Sequence, residues 1–176
     1  NIGTTSTAWV VAILGFKLNI SSFSYPFLAI GTLSYLFMDN RPVLKALGSF
    51  FIGFGLIFLG IDFLKEAVET VTQEIDLKQY ADLGLWVFVV IGIIVTAMIH
   101  SSSAIMIIVL TALYGNLIDV YQACAITIGA NIGTTITLVL AGIKGTPDKK
   151  RLAISHVFFN VITGIVAFVF LYPLME

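Results

Sequence analysis

Residues 83–118 read LGLWVFVVIGIIVTAMIHSSSAIMIIVLTALYGNLI, an uncharged stretch that is apolar on both sides of one histidine and three serines. A helix that crosses the hydrocarbon core of a membrane needs about 20 apolar residues, so this stretch is too long for one crossing and, with a turn, too short for two. We therefore predict a re-entrant helical hairpin over 83–115, with its tip at His100–Ser103. Irregular backbone survives at membrane depth only where protein or a water-filled cavity satisfies its polar groups, so the tip should line a site.

The composition places the whole chain in a membrane. Of its 176 residues, 59% are apolar and 11% are charged, whereas a soluble domain carries about 25% charged residues. Further uncharged stretches at 18–38, 46–61, 120–143 and 152–175 predict membrane-crossing helices, so we expect an all-α integral membrane protein. The net charge of −1 excludes a basic surface for nucleic acid. The single cysteine, Cys124, excludes a disulfide framework and a thiolate metal site.

The charged residues predict the orientation of the chain, because lysine and arginine favour the cytoplasmic side in short loops. Residues 144–151 carry four positive charges against one negative charge, and residues 39–45 carry two against one, so both loops should be cytoplasmic. Residues 62–82 carry six acids against two lysines and should lie outside. The chain begins at Asn1, with no methionine and no features of a signal peptide, which predicts that it is a fragment.

One seven-residue motif occurs twice in the chain. Residues 1–7 read NIGTTST and residues 131–137 read NIGTTIT, so six of the seven positions are identical. In the orientation predicted from the charges, the first copy runs outward and the second copy runs inward. Inverted repeats with broken transmembrane helices are typical of secondary transporters, whose sites form near the membrane midplane between the two copies.

The motifs carry hydroxyl and amide groups but no formal charge. The three hydroxyls of Ser101–Ser103 and a helix N-terminus beside them suit an oxyanion such as phosphate. Neutral oxygens, such as those of Asn131, Thr134 and Thr135, suit a hard cation such as sodium. Because a bare ion is heavily penalised in a low-dielectric interior, a phosphate bound without arginine or lysine needs co-bound cations. Charge balance would then couple the two ions, since a half-loaded carrier could not reorient cheaply.

Each of these polar residues also has a simpler interpretation. Serines let membrane helices approach closely and can bond back to the preceding turn. His100 could donate a hydrogen bond to the anion, or it could be a neutral histidine bonded to the backbone. His156 and Asn160, one turn apart near the end of the chain, are interpreted as structural.

A known family carries the same combination of motifs. His100-Ser101-Ser102-Ser103-Ala104, followed by Gly129-Ala130-Asn131-Ile132-Gly133-Thr134-Thr135, resembles the type II sodium–phosphate cotransporter family and its bacterial relatives. Members of that family carry Gln-Ser-Ser-Ser and Gly-Ala-Asn-Ile-Gly-Thr-Thr in each of two inverted repeats, and His100 stands where the family usually has glutamine. The resemblance implies symport of inorganic phosphate with sodium by alternating access, in a multi-pass protein of a plasma membrane, here a bacterial inner membrane.

The resemblance also implies how the chain is divided and which residues bind the ions. Residues 1–45 would be the end of the first repeat and the next helix, 46–143 the second repeat with the hairpin, and 144–176 a cytoplasmic loop and the last transmembrane helix. Sodium would be the co-transported ion, without an organic cofactor. The first repeat of the same transporter would be a partner, and an oligomer is compatible with this organisation. We expect His100, Ser101, Ser102, Ser103, Asn131 and Thr134 at phosphate, and Asn1, Thr4, Thr5, Ser102, Ser103, Thr134 and Thr135 at sodium.

Two other functions are consistent with parts of the sequence. A membrane subunit or anchor without a site of its own would tolerate Ser102→Ala and Thr134→Ala in the full complex. An intramembrane serine hydrolase would use Ser101 or Ser102 as nucleophile and a histidine as base. His100 is a poor base for this purpose, because neighbours on a helix do not face each other. His156 would have to approach from another helix.

Overall fold

The computed structural model describes residues 2–15, 21–74 and 84–175. Over these residues the chain is helical and contains no strand, which confirms the all-α prediction. A π-helical turn at Val11–Gly15 follows the first helix. The α-helices are α1 Ile2–Val10, α2 Ser21–Phe37, α3 Pro42–Glu74, α4 Leu85–Ile99, α5 Ser102–Tyr114, α6 Val120–Gly133, α7 Thr135–Ile143, α8 Pro147–Val169 and α9 Leu171–Met175.

Three segments of the described chain are long and apolar enough to cross a membrane: Pro42–Ala67, Val120–Ile143 and Pro147–Val169. The first and third begin at a proline, whose missing N–H and fixed φ suit the first turn of a helix. Each therefore starts before the charge-free stretch predicted at 46–61 or 152–175. The protein is a multi-pass membrane protein. The beginning of the crossing predicted at 18–38 lies outside the described residues.

The described residues group into two compact units, the first within 1–8 and 72–176 and the second within 9–71. In the second unit, α2 and α3 form an antiparallel pair in which Gly31 faces Gly48. A Cβ atom at either glycine would lie 2.8 Å from the carbonyl oxygen of the other, so only glycine allows this approach. The Phe27 and Phe51 rings stack beside it, with centroids 5.6 Å apart.

In the first unit, α6 lies at the centre and packs against α4, α5 and α8. The closest approach joins α4 and α6, where Gly92 faces the backbone of α6 and Gly129 faces the backbone of α4. A Cβ atom at Gly129 would overlap the carbonyl oxygen of Val89. Buried apolar side chains of α5 and α6, including Ile105 and Ala123, fill the adjacent core.

Asp119, which stands alone in an apolar region of the sequence, begins α6. Its carboxylate accepts a hydrogen bond of 2.7 Å from the Gln122 N–H, and the Gln122 side chain accepts one of 3.0 Å from the Asp119 N–H. This capping box satisfies two N–H groups at the helix start, and the negative charge complements the helix dipole. The isolated acid is therefore explained by helix capping.

Candidate functional site

The helical conformation is interrupted at two residues between α4 and α5. His100 adopts a left-handed conformation, with φ 58° and ψ 21°, and its N–H donates to the carbonyl oxygen of Thr96 at 2.8 Å. Ser101 is extended, and its hydroxyl oxygen accepts a hydrogen bond of 3.3 Å from the Ala104 N–H, which caps α5. Serine is among the best residues for this position. The break is shorter than the predicted tip, because Ser102 and Ser103 already belong to α5.

The start of α5 has the features that suit an anion. The N–H groups of Ser102 and Ser103 lie in the first turn of the helix, where intrahelical acceptors are missing. The positive end of the helix dipole lies at the same place. Both serines are half-buried.

The junction of α6 and α7 is only a slight interruption. Thr134 alone separates the two helices, and its φ of −61° and ψ of −20° are still helical. Three hydroxyls donate to carbonyl oxygens three residues earlier: Thr134 to Asn131 at 2.7 Å, Thr135 to Ile132 at 2.8 Å and Thr137 to Thr134 at 2.8 Å. Because these hydroxyls donate to the backbone, their oxygens are left with lone pairs as acceptors.

A cavity of about 220 Å³ lies in the first unit among α1, α5, α6 and α8. The hydroxyls of Thr4 and Ser102 share a hydrogen bond of 3.2 Å at its wall. None of the described residues that line it carries a formal charge. Its polar lining consists of Thr4, Thr5, Ser102, Thr127, Asn131 and Thr163.

The cavity brings together only some of the expected binding residues. Thr4 and Thr5 from the first copy of the motif meet Ser102 and Asn131 from the second half of the chain. Asn1 lies outside the described residues. The remaining expected residues do not line the cavity: His100 is exposed, Ser101 caps α5, Thr135 is buried, and Ser103 and Thr134 are half-buried nearby along the chain.

Sequence reasoning missed the contribution of α8. Asn131 donates a hydrogen bond of 3.0 Å to the side-chain oxygen of Asn160, which is only 6% exposed. Asn160 in turn donates to the carbonyl oxygen of His156 at 2.9 Å. Two polar residues one turn apart in an apolar helix were the available signal, because polar side chains inside a membrane bundle bond across helices. The hydrogen bond of Asn160 therefore ties α8 to the second copy of the repeated motif.

Thr96 is a second residue that the sequence did not single out. Its side chain is fully buried, and its hydroxyl oxygen has no hydrogen-bond partner within the described part of the chain. A Cβ atom at Gly133 would lie 2.8 Å from that of Thr96, so the hydroxyl sits beside the end of α6. A buried hydroxyl without a partner costs free energy that a ligand could recover.

Comparison with known proteins identifies related sequences. The family model described as "Na+/Pi-cotransporter" matches residues 1–66 and 79–173. The chain is 34% identical over 165 residues to "Uncharacterized protein YqeW" of Bacillus subtilis, covering 92% of this chain and 52% of that protein. It is 28% identical over 173 residues to "Putative inorganic phosphate export protein YjbB" of Salmonella typhimurium, covering 96% and 31%.

A mammalian protein is also similar. "Sodium-dependent phosphate transport protein 2A" of Rattus norvegicus is 33% identical over 120 residues, covering 63% of this chain and 18% of that protein. The chain thus spans about half the length of the Bacillus relative and less of the other two. No solved structure shows significant similarity to the chain.

Proposed function

The chain belongs to the Na+/Pi-cotransporter family, and from that membership we propose that it is part of a transporter that carries inorganic phosphate across a membrane together with sodium ions. One observation carries the proposal. Thr4 and Ser102 share a hydrogen bond in a cavity that Asn131 also lines, so residues from both copies of the repeated motif meet the serine motif. This arrangement is the one expected for a transporter site built between two inverted repeats.

Phosphate would bind at the start of α5. The hydroxyls of Ser102 and Thr4 and the N–H groups of the first turn of α5 are hydrogen-bond donors, and the helix dipole favours a negative charge there. The cavity is also lined by apolar side chains such as Met106 and Ile128, so part of the surroundings of this polar patch is apolar. In such surroundings an uncompensated anion is unfavourable.

Sodium would bind at hydroxyl oxygens whose hydrogens are already donated in hydrogen bonds to the backbone. The hydroxyls of Thr134 and Thr135 donate to backbone carbonyls, so they present lone pairs, which suit a cation better than an anion. Charge compensation then couples the ions, because the site loaded with both is closer to neutral than the site loaded with one. Alternating access would move this compensated site between the two sides of the membrane.

The geometry favours transport over hydrolysis. Ser102 shares its hydrogen bond with Thr4, and the Nε2 atom of His156 lies 3.3 Å from the side-chain nitrogen of Asn160 on its own helix. Neither contact pairs a nucleophile with a base, as an intramembrane hydrolase requires.

The test is uptake of labelled phosphate by the full-length protein in proteoliposomes, with an inward gradient of sodium or of choline. We expect accumulation in sodium only. Ser102→Ala and Thr4→Val should each reduce it strongly, whereas Ser155→Ala, which alters an exposed serine of α8, should leave it unchanged. Equal uptake in choline would refute the coupling to sodium, and no uptake in either salt would refute phosphate transport.

Phosphate export is a second candidate, favoured by the similarity to YjbB, whose name describes export. Proteoliposomes loaded with labelled phosphate would separate the two. Efflux that needs an outward sodium gradient is the same symport running in reverse. Efflux that is equally fast without sodium would instead indicate an exporter.

A further inference from the structure

A second cavity, of about 480 Å³, lies between α7 and α8, away from the polar residues described above. Its volume falls within the range of about 300–1,000 Å³ that is usual for ligand pockets. The residues that line it are apolar except for one lysine. They include Val139 and Ile143 on α7, and Lys150, Ile154, Val157 and Val161 on α8.

The shape of this groove follows from two small residues. A Cβ atom at Gly142 would lie 3.1 Å from that of Ala153, so α7 and α8 approach closely there. The larger side chains of Ile143, Ile154 and Phe158 are exposed and form its walls. From Lys150 to Val161 the groove follows α8 for roughly 16 Å at 1.5 Å per residue. That length is about half of the ~30 Å hydrocarbon core, the depth of one leaflet.

The end of the groove is positively charged. Residues 144–151 contain four cations and one acid, and the acid, Asp148, lies 3.6 Å from Arg151. Lys150 is the charged residue that lines the groove itself. A lysine of this kind keeps its methylene groups on apolar surface while its ammonium group reaches the polar layer of the membrane. Basic side chains on the cytoplasmic side attract anionic lipid headgroups.

We propose that this groove binds an anionic phospholipid, with one acyl chain between α7 and α8 and its phosphate beside Lys150. The groove has the length of one leaflet, an apolar lining and a cation at one end, and a phospholipid matches all three. The lipid site is independent of the proposed transport, because none of its residues lines the cavity at Ser102.

The experiment is native mass spectrometry of the full-length protein, purified with an equimolar mixture of phosphatidylglycerol and phosphatidylcholine of the same chain length. We expect retained lipid to be mainly phosphatidylglycerol. Lys150→Gln should reduce that preference about fivefold, the worth of one cation near an anionic headgroup. Arg41→Gln removes a charge from the other loop predicted to be cytoplasmic and should leave the preference unchanged.

A second variant tests the apolar part of the groove. Val157→Trp fills the space between α7 and α8 without changing the charge, and it should release both lipids. Unchanged elution on size-exclusion chromatography would show that this variant is folded. If it does not fold, Lys150→Gln alone decides the outcome. Equal retention of the two lipids by the unaltered protein, unchanged preference in Lys150→Gln, or a groove that retains no lipid because another protein segment occupies it would each overturn the proposal.

Discussion

The two motif regions at residues 100–104 and 129–135 both carry uncharged polar side chains, but they differ in backbone conformation. Between α4 and α5 the helix ends, with His100 left-handed and Ser101 capping the next helix. Between α6 and α7 the chain passes through Thr134 in a helical conformation. The first region therefore offers N–H groups and hydroxyl donors, whereas the second offers oxygens whose hydrogens are already bound. We infer that the two regions bind different ions, with the anion at the interruption between α4 and α5 and the cation at the junction of α6 and α7.

The comparison depends first on the packing that holds the two regions together. Gly129→Ala places a Cβ atom against the Val89 carbonyl, which cannot move without shifting α4, so we expect a loss of about 3 kcal/mol in the free energy of unfolding. Thermal unfolding in detergent measures the loss. Gly53→Ala is the control, because its new Cβ meets no atom within 4 Å, and it should be neutral or stabilising. Equal melting temperatures for the two variants would contradict the packing argument.

Ser102→Ala tests the anion side of the comparison. It removes a hydroxyl at the cavity wall, and a hydrogen bond to a charged group is worth about 1.5–3 kcal/mol. The KM for phosphate should therefore rise about tenfold or more, while the sodium dependence changes less. Ser155→Ala should alter neither. A larger effect on sodium than on phosphate would reverse the assignment of the two regions.

Thr134→Val tests the cation side with a side chain of the same shape. It removes an oxygen that already donates its hydrogen to Asn131. The sodium concentration for half-maximal uptake should rise about tenfold, or ~1.4 kcal/mol, with a smaller change in the KM for phosphate. Thr137→Val is the matched control, since its hydroxyl makes the same kind of bond but its side chain is exposed. Similar behaviour of both variants would mean that only helix geometry is affected.

Asn160→Leu tests whether α8, which lies outside the two motif regions, supports the second of them. The variant removes the hydrogen bond between α8 and Asn131, and such bonds inside membrane bundles contribute about 0.6–1.7 kcal/mol. The melting temperature and the affinity for phosphate should both fall modestly. Phe159→Leu, at the exposed neighbouring position, should change neither. An unchanged KM with a lowered melting temperature would limit Asn160 to a packing role.

His100→Gly should have the smallest effect. A left-handed conformation costs an L-residue about 1–2 kcal/mol, which glycine avoids. Glycine also loses more conformational entropy on folding, which costs about 0.5–1 kcal/mol and offsets part of this gain. The net increase in the free energy of unfolding should therefore be small. Because the imidazole is exposed and outside the cavity, phosphate uptake should persist. If this variant lost as much uptake as Ser102→Ala, the result would indicate that His100 does contribute to phosphate binding.

Local patterns in the chain predicted the features that depend on local physics. The interruption at His100 and Ser101 was expected because a serine run divides an apolar stretch that does not suit two crossings. The slight junction at Thr134 was not, because an inverted repeat of this kind is expected to carry a broken helix, here near the glycines at 129 and 133. In the structure those glycines allow close packing of α6 on α4.

The sequence by itself determined the membrane class and the α-helical architecture, because hydropathy and helix capping act over one or two turns of chain. It also contained both copies of the repeated motif. Only the tertiary structure decided that Thr4, Ser102 and Asn131 share a cavity and that Asn160 holds Asn131 in place. Those contacts join residues far apart in the chain, so they depend on helix packing, such as the close approach of α8 to α6 at Gly164, where a Cβ atom would lie 2.6 Å from the Ile132 side chain.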